Sequence, residues 1–367
     1  MPYPQFDRNK IRFRALKERK NYVDIQKAQI KITDQPQGLS AHALTILEET
    51  ATRIKTSREN GKSVMLTFGA HSIKNGLAPV LIEFIDKGWL THLATNGAGI
   101  IHDWEFSFQG ASSEDVRGNA ARGEFGTWEE TGYYINLALV MGAYHGLGYG
   151  ESIGSFIEHE KLMIPSEEEL LTKILEQYKE HPRQAALAAE LLAVIREFNI
   201  PAGAMHVPHP YKQFSVQAAA YRKGIPFTSH PMFGHDIIYT HPMNSGVAIG
   251  RTAEHDFLSF ADSVSNIDGG VYLSIGSAVM SPMIFEKSYS MSQNLALQQG
   301  ESISRHYINV VDLSENSWDW SAGEPPKDNP AYYMRYCKTF SRMGGTMHYI
   351  TADNRDFLLG LLHLLEN

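Results

Sequence analysis

One stretch limits the fold more than any other: residues 66–105, LTFGAHSIKNGLAPVLIEFIDKGWLTHLATNGAGIIHDWE. Residues 64–68 are a short apolar run rich in strand formers, and 69–76 a polar turn. Leu77, Val80, Leu81, Phe84 and Ile85 recur at helical spacing, which predicts an amphipathic helix over 77–87. Gly88 ends it, being free to adopt a left-handed conformation. A second strand over 90–94 runs straight into Thr95, Asn96, Gly97, Ala98 and Gly99. Two strands joined by so short a helical crossover must be parallel, with a right-handed connection. Both turns then fall on the carboxyl edge of one sheet, where open parallel sheets bind ligands.

The rest of the chain repeats this alternation. Helices are predicted over 41–60, 112–120 (capped by Ser112), 127–148, 166–180, 185–199, 215–223, 256–267 and 357–365. Strands are predicted over 225–228, 270–275, 308–313 and 345–350. The expected fold class is α/β, a doubly wound, mostly parallel sheet. Residues 1–40, polar and basic, read as an arm lying on the body or on a neighbouring subunit, with a loose tail as the plain alternative. Residues 41–367 read as a single α/β domain with a helical insertion at about 127–199. Gly146, Gly148, Gly150 and Gly154 suggest a mobile loop; no P-loop lysine follows them, so nucleotide binding there is disfavoured.

Charge and cysteine content narrow the partners. A formal charge of −8 argues against nucleic acid or an anionic membrane as the main partner. The one cysteine, Cys337, permits no internal disulfide and fits a reducing cytoplasm. No leader is evident at the charged start, and no apolar run approaches the roughly 18 residues of a membrane span.

The strands predicted before Thr95, Gly276 and Thr351 all end in small polar residues, a way to build a dinucleotide crevice without GxGxxG. At Thr95–Gly99 the glycines either permit a tight turn or admit a pyrophosphate to the following helix start. Asp103, one turn on, is placed to accept ribose hydroxyls. A second signal is histidine: His206, His209, His230, His235, His241 and His255 fall within fifty residues, with Asp236 and Asp256 among them. His206 and His209 have a zinc-ligand spacing, whereas single loop histidines usually cap or pack. His230, His235 and Asp236 follow a strand end and are expected to line the crevice, with His235 and Asp236 as acid–base candidates.

Several of these segments together resemble deoxyhypusine synthase. They are the run from Gly76 to Asp103 with its Thr-x-x-x-Gly turn, Arg122-Gly123-Glu124-Phe125, Gly224-Ile225-Pro226-Phe227, and Gly234-His235-Asp236 running on to His241. The resemblance covers roughly 64–364, with a departure at 126–199. It implies NAD as cofactor, held by Ala70, His71, Thr95–Gly99, Asp103, Gly276, Ser277, Thr351, Ala352 and Asp353. Counting eleven residues back from Tyr349 places the family's imine-forming lysine at Lys338, with Glu324 and Asp328 as loose matches to its polyamine-site acids. Tyr336 stands where the family has Trp, and the turn after Gly276 lacks the family's histidines, so the cofactor half is the better kept. The implied activity is NAD-dependent chemistry on a small amine or polyamine, with hydride transfer and lysine imine-mediated aminoalkyl transfer, in a homo-oligomer (dimer or tetramer). Two readings stay open beside it: a metal-dependent hydrolase or isomerase using the histidines, and a non-catalytic NAD-binding sensor.

Overall fold

The computed structural model describes residues 3–366. Its centre is a six-stranded sheet, numbered here in chain order: β1 Val64–Phe68, β2 His92–Thr95, β3 Phe227–Ser229, β4 Val271–Ile275, β5 Tyr307–Asp312 and β6 Thr346–Thr351. The spatial order is β3-β2-β1-β4-β5-β6, and every pairing is parallel. Residues β1, β2 and β4 are buried throughout because helices cover both faces of the sheet.

Period-two alternation divides the core into two layers. Val64, Leu66, Val271, Leu273 and Val311 pack toward one face with the helices Ala41–Glu59, Ala78–Asp86 and Asn354–Glu366. Met65, Tyr272, Ile308 and Val310 pack toward the other, against Phe260, Phe285 and Phe340 of the helices Gly246–Ser265, Met280–Gln298 and Arg335–Ser341. Between β2 and β3 in the chain lie the helices Glu129–His145, Tyr149–His159, Glu167–Gln177 and Pro182–Phe198, plus a short antiparallel pair, Lys161–Ile164 with Gly203–His206.

The N-terminal segment is docked on the body. Asn21–Asp24 pairs antiparallel with Ala111–Glu114. Arg19 makes a two-pronged contact with Glu105, at 2.8 and 2.6 Å, and both side chains are almost fully buried. Thr131 and Ser112 also donate to Glu105, so the carboxylate is paired as well as buried. Arg8 donates to the carbonyls of Tyr239 and Asn244 and to the Asn244 side chain.

Three local expectations are corrected. Residues 112–120 are not one helix capped by Ser112: Ala111–Glu114 is a strand, Ser112 Oγ serves Glu105, and the helix Val116–Ala121 is capped by Asp115. Of the glycines of 146–154 only Gly146 and Gly148 lie in a connection; Gly150 and Gly154 are in the helix Tyr149–His159. The region is closely packed: a Cβ on Gly148, the N-cap, would strike the Asp256 carboxylate and one on Gly150 the Phe227 carbonyl. The helix expected from Asp256 begins at Gly246, capped by Ser245. Met280–Gln298 was not foreseen because its apolar residues are interleaved with serines and set up weak periodicity.

Candidate dinucleotide and acid–base site

The strand order sets the location. From β1 the chain crosses toward β2, and from β4 toward β5, so the connections diverge at the β1/β4 boundary. In doubly wound sheets this switch point is the ligand crevice, and 3-2-1-4-5-6 is the dinucleotide-binding order.

Four of the segments singled out in the sequence meet along this edge. Gly69 follows β1 and Gly276 follows β4; a Cβ on Gly69 would collide with the Gly276 carbonyl. Gly276 itself has φ +55°, and a side chain there would meet the Asn354 amide. Asn354 Nδ2 donates to Ser72 Oγ at 3.4 Å, linking the last turn to the first. Thr95 Oγ1 donates to the Phe68 carbonyl at 2.9 Å, tying the β2 turn to β1. Ala70 is half-buried and His71 exposed; Ser277 Oγ accepts from Ser281 N. Thr351 Oγ1 donates to Ser314 O, Ala352 is buried, and exposed Asp353 accepts from Arg355 N at 2.8 Å, starting the last helix.

Beyond β2, one carboxylate oxygen makes no hydrogen bond of ordinary geometry. Asn96 caps the helix Gly97–Gln109, its side chain accepting from Gly99 N at 3.0 Å. The space where a Gly97 side chain would begin is filled by the Asp236 carboxylate, and the Gly99 Cβ space by Thr95. Asp236 Oδ2 and the Tyr239 hydroxyl are buried and make no hydrogen bond of ordinary geometry, although the two groups lie close enough to interact. Ser229 Oγ at the end of β3 and the Tyr149 hydroxyl are buried without a partner among the protein's atoms. Burial pushes Asp236 up to about 6, against the opposing pull of neighbouring Tyr239 and His235. Tyr149 is raised well above the ordinary phenol value by burial, and next by Asp236, Tyr239 and Asp256. Phe233 stacks on Tyr239 with centroids 4.5 Å apart, and His235 is exposed beside them. Unpaired buried polar groups are costly and uncommon, and Asp236, Tyr149 and Tyr239 bring three such groups within electrostatic reach of one another. Sequence reasoning named His235 and Asp236 but missed Tyr149, Tyr239 and Ser229. The only local hint was Tyr149 between two glycines.

Other candidates are placed elsewhere. Asp103 is fully buried and does not face the crevice. It accepts from Ser215 Oγ (2.5 Å), Val216 N (2.8 Å), Gln217 N (3.3 Å) and Gln217 Nε2 (2.9 Å), thereby capping the helix Val216–Lys223. A carboxylate so engaged has little left for a ribose.

Lys338 lies in Arg335–Ser341, largely sheltered, with Nζ 3.5 Å from Glu324 and 3.4 Å from the centre of the Tyr332 ring. Glu324 also takes a two-pronged contact from Arg342, and Asp328 is exposed. Lys338 Nζ is thus taken up by an ion pair and an aromatic face. The helix leads into β6, four strand spacings from β2, or about 19 Å.

The histidines disperse. His209 is buried among Trp104, Phe108 and Phe156, and burial lowers it to about 4. His230 does not line the crevice: it turns inward to Thr228 Oγ1 (3.0 Å), which also contacts His92, and burial lowers both imidazoles to about 3. His241 packs on Phe13 and accepts from Met243 N, while His206 and His255 are exposed. Among the described residues no three His, Cys, Asp or Glu side chains converge as metal ligands would. Asp256 is spent on the edge of the sheet, where its carboxylate accepts from Gly150 N and Ser229 N and burial raises it to about 8.

No protein-family model matches the chain, and no curated protein matches it. Among solved structures it is similar to ArgZ, an arginine dihydrolase from the ornithine-ammonia cycle in cyanobacteria, at 14% identity and TM-score 0.43, covering 88% of this chain and 32% of that one. It is also similar to a conserved LOR/SDH protein from Methanococcus maripaludis S2, at 10% identity and TM-score 0.42, covering 92% and 73%. A third likeness is to AgrE in a ternary complex with ornithine and NAD+, at 14% identity and TM-score 0.43, covering 90% and 34%. The chain thus spans about a third of the length of ArgZ and AgrE. The strand order, rather than any of these likenesses, identifies the fold.

Proposed function

We propose that this protein binds NAD across the β1/β4 switch point and uses it in chemistry on a small amine or amino acid. The observation that carries the proposal is the Asp236 carboxylate in the loop after β3, whose buried Oδ2 packs against Gly97 just past the end of β2. In sheets of this order an acidic residue at the end of β2 accepts the ribose hydroxyls, and Asp236 would reach that place from the neighbouring loop. Asp103 was given that part in the sequence; Asp236 fits it better, because its Oδ2 is buried and unsatisfied. Gly69, Ala70, Gly276 and Ser277 would border the pyrophosphate, and Thr351, Ala352 and Asp353 the far half. Bound NAD would accept a hydride from the carbon beside the amine nitrogen. Exposed His235 is the side chain placed to take the amine's proton, and Phe233, stacked on Tyr239, would shield the reacting face from water.

The lysine-mediated transfer implied by the resemblance to deoxyhypusine synthase is not part of this reading, because Lys338 Nζ is engaged by Glu324 and the Tyr332 ring. The metal-dependent reading is set aside because the histidines disperse. A non-catalytic NAD sensor remains the alternative, favoured by tight NAD binding without turnover of any amine. We also propose a homo-oligomer, a dimer or tetramer; exposed Met232, Phe233, Val279 and Leu313, which follow the carboxyl ends of β3, β4 and β5, are apolar side chains a partner copy would cover. No helix among the described residues is long and apolar enough to cross a membrane; the lone, buried Cys337 suits the cytoplasm.

The test is thermal stability against NAD and NADP. NAD at a hundred times its dissociation constant should stabilise by about 2.7 kcal/mol. NADP should do far less, because its 2′-phosphate would face the Asp236 carboxylate. No response to millimolar NAD or NADH would refute the proposal.

A further inference from the structure

A cleft of about 420 Å³ opens at the β6 edge of the sheet, between the start of the helix Ala41–Glu59 and the loop 316–320. Two buried donors in its lining have no acceptor. Asn316 Oδ1 accepts from Trp318 N at 2.9 Å, which fixes the orientation of the amide and leaves Nδ2 unpaired. Trp318 Nε1 is satisfied by the Gly323 carbonyl, but Trp320, only 2% exposed, has no partner for its Nε1. Leaving a buried N–H without an acceptor is unfavourable, and two in one wall call for an acceptor with two oxygens. The helix start at the same wall adds a positive dipole end; Ser40 Oγ takes only Ala43 N, leaving the Ala41 and His42 amides. These features suit a carboxylate.

The same cleft also suits a cation. Exposed Asp319 lines it, with Oδ1 committed to Ser321 but its negative charge retained. The indoles of Trp318 and Trp320 add aromatic surface of the kind that attracts an ammonium. One molecule that answers to both is a zwitterion. We infer that this cleft binds a small zwitterion of the α-amino acid class. Its carboxylate meets Asn316 Nδ2, Trp320 Nε1 and the helix start, and its ammonium lies toward Asp319. The site is distinct from the Asp236 region, lying at the opposite end of the strand order, although Thr351 lines it too.

The experiment titrates the full chain, without dinucleotide, with glycine, L-glutamate and L-lysine, and with acetate and methylammonium as the separated halves. Tryptophan fluorescence and thermal shift are the readouts, so the result is independent of whether NAD binds. At least one amino acid should give a saturable response, with acetate and methylammonium at least about tenfold weaker. Asn316→Asp keeps the bond to Trp318 N but sets a negative charge against the carboxylate, and should weaken binding at least about tenfold. Trp320→Phe keeps the ring and removes only the N–H, with circular dichroism confirming the fold. It gives a second readout should Asn316→Asp misfold. The inference is overturned if no amino acid gives a saturable response at millimolar concentration, if either half binds as tightly as the best amino acid, or if a folded variant binds as wild type does.

Discussion

The Asp236 carboxylate stands where a side chain on Gly97 would begin, so any larger first residue of the Gly97–Gln109 helix must displace it. The same contact puts an unpaired oxygen at the end of β2. One glycine therefore serves both packing and the proposed ribose contact.

Gly97→Ala should displace Asp236 and cost about 1–3 kcal/mol through overpacking, read from urea unfolding. Gly250 is the control: it lies exposed in the helix Gly246–Ser265, and nothing stands within 4 Å of where its Cβ would be. Gly250→Ala should stabilise by about 0.5–1 kcal/mol. Equal destabilisation by both changes would contradict the account.

Asp236 gives a pH signature. Its folded value is raised, from 3.8 to about 6, so the folded state holds the proton more tightly than the unfolded chain. Below the unfolded value both states are protonated and there is no penalty. As pH rises through that window the unfolded chain releases its proton first, and stability falls by about 2–3 kcal/mol, levelling above the folded value. Asp236→Asn should therefore stabilise the ligand-free protein at neutral pH and change nothing at pH about 3.5. A constant difference across that range would show that Asp236 is not the titrating group.

The docked N-terminal segment depends on a buried charge pair. Burial alone would raise Glu105, but Arg19 outweighs it and holds the carboxyl below its ordinary value. This contribution is present above the unfolded carboxylate value and is lost as pH falls through the folded one. Glu105→Gln would leave the Arg19 guanidinium buried without its counter-charge and should cost about 3–5 kcal/mol. Unchanged stability would mean that the segment can leave the body freely.

Lys338 should be chemically quiet. Borohydride treatment with NAD and a candidate amine should add no mass at Lys338, and Lys338→Arg should retain NAD binding and the pairing with Glu324. A borohydride-stable adduct confined to Lys338 would restore the transferase mechanism.

The parts of this fold legible in the sequence are those set by local pattern. Val64–Phe68 and Ala78–Asp86 fell within a residue of their expected bounds because apolar spacing and a terminating glycine specify them within a short window. The meeting of the Gly69, Gly276 and Asn354 turns followed from chirality and parallel pairing. The roles of individual carboxylates did not. Asp103 looked available until Ser215, Val216 and Gln217, more than a hundred residues away, took its oxygens. Asp236 acquired its place through Gly97, equally distant in sequence. Lys338 was located by counting, which gives a position in the chain but not the Tyr332 ring and Glu324 that contact its Nζ.

The most direct measurement is a crystal structure of the protein soaked with NAD. The account predicts density across the carboxyl ends of β1 and β4, with a ribose hydroxyl within hydrogen-bonding distance of Asp236 Oδ2. Dinucleotide bound away from that edge, or bound there with Asp236 untouched, would contradict it.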